Sequence, residues 1–176
     1  MGLFSWVGSL FSRKPAAPKV ATIPERFELV RKMLPEVGIP NFNAALLQDN
    51  GMFQFGVTIT DDATKETLNL GFLVSIHLNS LQVRCYGGAK LPPGASPSAL
   101  LREMNRINRE SLVKLVWNEQ DGDVEIQVDL LLAGGVPTQE QLGMCLAGPF
   151  AILQRERANL LRACSGGGGA AAVDSL

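Results

Sequence analysis

Between residues 96 and 132 the apolar positions change period. Leu100, Leu101, Met104, Ile107 and Asn108 recur at helical spacing behind Ser96, the expected N-cap, and Pro97, the expected first helical residue. Val113, Leu115 and Trp117 then fall on alternate positions with Lys114 and Val116 between them. An Asp121-Gly122 turn signal follows, and Val124, Ile126, Val128, Leu130 and Leu132 alternate with Glu125, Gln127 and Asp129. A helix followed by a hairpin with one apolar face is half of a two-layer domain. The earlier chain supplies the rest. Pro24 opens a helix striped by Phe27, Val30, Met33 and Leu34, which Pro35 and Gly38 end by about Val37. Leu46 and Leu47 read as a short strand or a lead-in. Phe53, Phe55, Val57 and Ile59 alternate with polar or small residues; after a polar turn at 61–66, Leu68, Leu70, Phe72, Val74 and Ile76 alternate again. Leu81, Val83 and Cys85 follow an Asn79-Ser80 turn. A last long helix opens with a Thr138/Gln141 capping box and carries Leu142, Cys145, Leu146, Phe150, Leu153, Leu160, Leu161 and Cys164. The predicted order is α-βββ-α-ββ-α, an α+β, two-layer fold with an antiparallel sheet of about five strands.

The body so defined runs over 23–164 as a single domain, with 1–14 as an amphipathic helix or tail, 15–22 as a Pro/Ala linker, and 165–176 as a Gly-rich tail expected to be disordered. Leu3, Phe4, Trp6, Val7, Leu10 and Phe11 fall on one side of a helix, with Arg13 and Lys14 closing it. Three readings stay open: a helix that docks on a partner or on the chain's own apolar surface, a weak interfacial membrane helix, and a disordered tail. The basic residues follow the apolar run, unlike a signal peptide, and Trp6 occupies the position where a myristoylation motif needs Ser or Thr.

Charge then narrows the function classes. A formal net charge of -1 with 19% charged residues carries no basic stripe for nucleic acid, and 46% hydrophobic content makes self-association or a partner easier to credit. No apolar run is long enough to span a bilayer. Cys85, Cys145 and Cys164 have no CxxC spacing and read as reduced, buried residues, as in a cytoplasmic protein. One histidine, His77, leaves little room for acid–base or zinc chemistry. His77 and Cys85 lack a third group; the aspartates at 61, 62, 121 and 123 sit in turns and face water; the glycines and prolines of 87–98 make a loop without phosphate-binding spacing. No catalytic residue, cofactor or metal is expected.

Protein binding has the better physical case. Arg102, Arg106 and Arg109 lie on one side of the second helix, opposite its leucines, as either an anion-recognition stripe or a solvated face. Leu131 lies on the outward face of the last strand and Leu73 on that of the second, where Gly71 and Ser75 permit close approach. Asn105 and Asn108 are expected to be structural, Asn108 by tying the helix end to the next strand, and Pro149 is expected to kink the last helix.

The run Leu100 to Asn108, the acidic hairpin and the late turn Gly134-Gly135-Val136-Pro137-Thr138 into the last helix resemble the YbjN family of bacterial proteins, a relative of the type III secretion chaperone-like fold. The resemblance implies a compact, often dimeric α+β domain in a superfamily with protein-binding members, and supplies no catalytic residues. The expected function is a non-enzymatic protein-binding, chaperone-like or regulatory module acting as a homodimer in the cytoplasm. The alternative is a membrane-peripheral adaptor at the inner face, held by the N-terminal segment.

Overall fold

A computed structural model describes residues 20–47, 50–60, 66–132 and 135–166. In chain order the elements are α1 (Ile23–Glu36), β1 (Asn43–Leu46), β2 (Gly51–Thr60), β3 (Thr67–Ile76), β4 (Ser80–Tyr86), α2 (Ser98–Glu110), β5 (Lys114–Trp117), β6 (Val124–Leu131) and α3 (Gln139–Cys164). The strands form one antiparallel sheet in the order β1-β2-β3-β4-β6-β5. The N-terminal apolar segment and the tail beyond Gly166 lie outside the described residues.

Six strands stand where about five were expected. The addition is β1, the ambiguous stretch at Leu46, whose four residues are all exposed and pair with β2 from Asn43↔Gln54 to Leu46↔Gly51. It lies at the sheet edge, so it lacks the alternating burial that marks the central strands. Boundaries shift elsewhere by a residue. His77 N–H donates to Ser80 O at 2.8 Å, so the β3–β4 turn is centred on Leu78-Asn79 rather than Asn79-Ser80. Pro97, not Ser96, is the N-cap of α2, and Ser96 Oγ accepts from Ser98 N–H just before it.

One parity of each central strand builds the core. Phe53, Leu70, Phe72, Val74, Ile76, Leu81, Val83, Cys85 and Ile126 are almost fully buried, and all face the helices. Phe27 of α1 stacks on Phe53 at 4.5 Å between centroids, and Phe150 of α3 packs on Phe72 at 5.3 Å. Pro149 is buried inside α3, which runs from Gln139 to Cys164. Beside it Gly148 brings α3 so near the sheet that an added Cβ would stand 3.2 Å from both Val113 and Val128.

Three polar groups fasten the helices. Thr22 and Glu25 form a capping box at the start of α1, and one residue on, fully buried Arg26 donates from Nη1 to the carbonyls of His77 and Leu78 in the β3–β4 turn. Its Nε and Nη2 have no hydrogen-bond partner among the described residues. Asn108 acts as expected: Nδ2 donates to Leu115 O at 3.0 Å and Oδ1 accepts from Leu115 N–H at 2.7 Å, so one side chain pairs with a strand residue as a neighbouring strand would. Asn105 is exposed, and its side chain makes no hydrogen bond among the described residues. Asn108→Ala is expected to cost about 2 kcal/mol, because two half-buried backbone groups lose their partner, while Asn105→Ala stays within about 0.5 kcal/mol. Urea midpoints of the two variants check this, and equal shifts would refute it.

The third group is Glu156 of α3, only 5% exposed. It accepts from Arg155 Nε at 2.8 Å, from Asn159 Nδ2 at 3.2 Å, and from Arg106 of α2. Burial pushes its carboxyl up, but the hydrogen bonds from Asn159, Arg155 and Arg106 outweigh burial and hold it below its ordinary value. A carboxyl with a lower pKa in the folded than in the unfolded state stabilises the fold above the unfolded value, and that contribution disappears as pH falls through the folded one. Melting temperature is therefore expected to fall as pH drops below the ordinary 4.5, with a shallower acid-side slope in Glu156→Gln. Identical slopes would remove Glu156 from the account.

Candidate partner-binding face

With the helices on one side, the opposite parity of the strands is left uncovered. In register across the sheet, Asn43, Gln54, Leu73, Arg84, Gln127 and Lys114 form one row. Gly56, Gly71 and Tyr86 form the next, so two strands carry no side chain side by side at the middle of this face. The bare strip opens a depression of about 460 Å³ bordered by Asn43, Gln54, Gly56, Gly71, Leu73 and Tyr86, with backbone from Phe55 and Phe72 at its floor. A second depression of about 460 Å³ shares Asn43, Gln54 and Gly56 and continues past the edge strand along residues 40–42. Together they form a shallow groove running from the sheet's interior over its β1 edge.

The groove's chemistry is mixed. Gln54 and Asn43 offer side-chain amides opposite one another, Leu73 is half-buried, and Tyr86 carries a phenol. Burial first, then the nearby Glu125 carboxylate, raise the Tyr86 hydroxyl above its ordinary value despite Arg84, so it stays protonated and can donate. Beyond it the polar side chains bind one another. Arg84 Nε donates to Gln82 Oε1 at 2.5 Å, Gln82 Nε2 to Asp129 Oδ1 at 2.8 Å, and Thr58 Oγ1 to Asn69 Oδ1 at 2.9 Å. These bonds fix the polar border, and the glycine strip between them remains open.

The two expected leucines both fall on this face but apart. Leu73 borders the groove; Leu131 lies opposite Ser80 at the far end of β6 and is 81% exposed. The arginines of α2 lie on the helix layer, away from the groove. Arg102 and Arg109 are exposed, whereas Arg106 is held by Glu103, Glu110 and Glu156, and its hydrogen bonds to Glu103 and Glu156 raise its pKa further. As a recognition stripe, α2 therefore offers its two outer arginines. Sequence reasoning singled out Gly71 but passed over Gly56, Gln54, Asn43 and Tyr86. The missing signal was the hairpin register that sets Gly56 beside Gly71.

The chemically reactive side chains that the sequence singles out lie apart. Cys85 pairs with Phe72 while His77 lies in the turn at the other end of β4, so the two do not meet. Burial first and Asp123 second push the Cys85 thiol up to about 12, the reverse of a poised nucleophile. Cys145 and Cys164 are likewise buried and raised by burial. Among the described residues no group of three or more His, Cys, Asp or Glu could hold a metal ion, and no helix is long and apolar enough to cross a membrane.

Comparisons with known proteins bear on the family and the fold. The YbjN family model, described as "Putative bacterial sensory transduction regulator", matches residues 44–147, from β1 into α3. No curated protein matches the chain. Among solved structures, a chain of "Crystal Structure of the ExsC-ExsE Complex" superposes with a TM-score of 0.51 at 17% identity, covering 79% of this chain and 95% of that one. At that identity the likeness is one of fold, a type III secretion chaperone-like sheet with helices on one side.

Proposed function

The chain belongs to the YbjN family, and from that premise we propose that it is a non-enzymatic, chaperone-like binding module that holds another polypeptide and works as a cytoplasmic homodimer with a regulatory role. The observation that carries this reading is the uncovered sheet face, where the paired Gly56 and Gly71 expose backbone between a leucine, two amides and a phenol. Such a strip suits an extended segment, whose side chains could settle over the glycines while its amides meet Asn43 and Gln54. The short exposed strand β1 beside it offers the same guest an edge that no described strand pairs. A solved structure of this fold is itself of a protein complex, which supports the reading without identifying a partner.

Gly71→Lys fills the groove without strain, because the nearest atom to an added Cβ is Tyr86 Cδ2 at 3.9 Å. Leu73→Asp makes its border repulsive. Side-by-side affinity capture is expected to recover a polypeptide with the unaltered chain and to lose it with both variants, each still melting cooperatively. Equal recovery by all three would remove the groove from the function. The dimer is tested separately by sedimentation, where a single monomer boundary at every concentration would overturn that part.

A further inference from the structure

One end of the sheet is apolar and uncovered. The last full row of paired residues there is Leu46, Gly51, Ile76, Leu81 and Leu130. At and just beyond this row Leu46 is 48% exposed, Leu47 52%, Leu78 56% and Leu131 81%. Elsewhere in the described strands the large apolar residues are buried or half-buried, apart from Val116 on the edge strand β5, so this clustering is local. The patch wraps the sheet end, since Leu46 shares the parity of the covered face and Leu131 that of the open one.

The chain enters the described fold at this same end. Arg26, in the first turn of α1, is bonded to the carbonyls of His77 and Leu78, and exposed Val20 stands two residues before the Thr22 N-cap. The 19 residues before Val20 include Leu3, Phe4, Trp6, Val7, Leu10 and Phe11, spaced for one side of a helix. We infer that this N-terminal segment docks in cis across the leucine patch at the sheet end. The dimensions agree. From β1 to β6 the patch spans four strand spacings, roughly 19 Å, and eleven helical residues measure roughly 16 Å. The nine residues from Phe11 to Val20 reach roughly 30 Å when extended, ample to bring the segment over the patch.

The tether decides between occupants. A short linker holds the segment at an effective concentration on the order of millimolar, well above that of a second copy at about 1 μM. Docking in cis therefore precedes docking in trans, and it leaves the glycine groove on the open face available.

Trp6 reports the docking directly. The chain has two tryptophans, so Trp117→Phe leaves Trp6 as the single emitter in an otherwise complete protein. Emission maximum and acrylamide quenching are read at about 1 μM, far below the tethered concentration, and compared with the same protein carrying Leu78→Asp and Leu131→Asp, two exposed positions whose change leaves the melting temperature near its starting value. The expected result is blue-shifted emission and several-fold weaker quenching, independent of protein concentration, and lost in the double variant. Protection that grows with concentration would assign the segment to a second copy and overturn the inference. Protection only after adding anionic phospholipid vesicles would assign it to a membrane surface, with the same consequence. Open, quenchable Trp6 under every condition, or equal protection in the double variant, would also overturn it. None of these outcomes bears on the glycine groove, so the partner-binding reading stands or falls on its own variants.

Discussion

Alanine at position 122 is expected to cost about 3 kcal/mol, or roughly 9 °C in melting temperature for a domain of this size. Gly122 has φ +78°, and an added Cβ would stand 2.5 Å from Leu91 O. That oxygen cannot swing aside like the tip of a long side chain. Leu91 N–H donates to Gly122 O at 2.8 Å, Val124 N–H donates to Ala89 O at 3.0 Å, and Lys90 bridges to Asp123, so the 87–91 loop is sewn to the β5–β6 turn. Separating the two breaks several bonds together. Gly94 supplies the control: its φ is +80° but nothing lies within 4 Å of an added Cβ. Gly94→Ala should therefore show the backbone strain alone, about 1 kcal/mol. Thermal unfolding of both variants separates the effects, and equal losses would show that the Leu91 contact contributes nothing.

Arg26→Ala is expected to destabilise the fold by about 3 kcal/mol. The guanidinium is fully buried and supplies the carbonyls of His77 and Leu78, which would lose their donor while a cavity opened beneath α1. The loss is moderated because Nε and Nη2 have no partners among the described residues, and removing them removes a desolvation cost. Arg26→Lys retains a charge and a donor on a stem of similar reach, so it should lose less than alanine. A ranking of Arg, then Lys, then Ala in chemical denaturation supports the turn-clamping role. Alanine equal to or more stable than arginine would mean that the buried charge costs more than its two bonds contribute.

The hairpins show what the alternation left unread. A polar turn at 61–66 is centred between Ala63 and Thr64, and folding the chain about that point sets Gly56 across from Gly71, the register observed. For β3 and β4 the expected centre was one residue too late, which is enough to misalign every cross-strand neighbour by two positions. The β4–β6 pairing had no local signal at all, since α2 and β5 intervene before β6 inserts between β4 and β5. Asn108 was legible because an amide leaning inward at a helix end has few ways to satisfy itself. Arg26 and Glu156 were not, because a charged residue within an amphipathic helix ordinarily faces water, and burial here depends on carbonyls and arginines brought from elsewhere in the chain. The groove was half visible, through Gly71 and Leu73, and its other half required the neighbouring strands.

The late insertion of β6 has a consequence for how the protein is made. As the chain leaves the ribosome, β2, β3 and β4 can zip together by short turns, but the outer edge of β4 stays bare until β6 has been synthesised. During that interval a nascent chain offers an open row of amides flanked by Leu81, Val83 and Cys85, the kind of edge to which a neighbouring nascent chain can add. Products truncated before Val124 would keep that edge permanently and should aggregate.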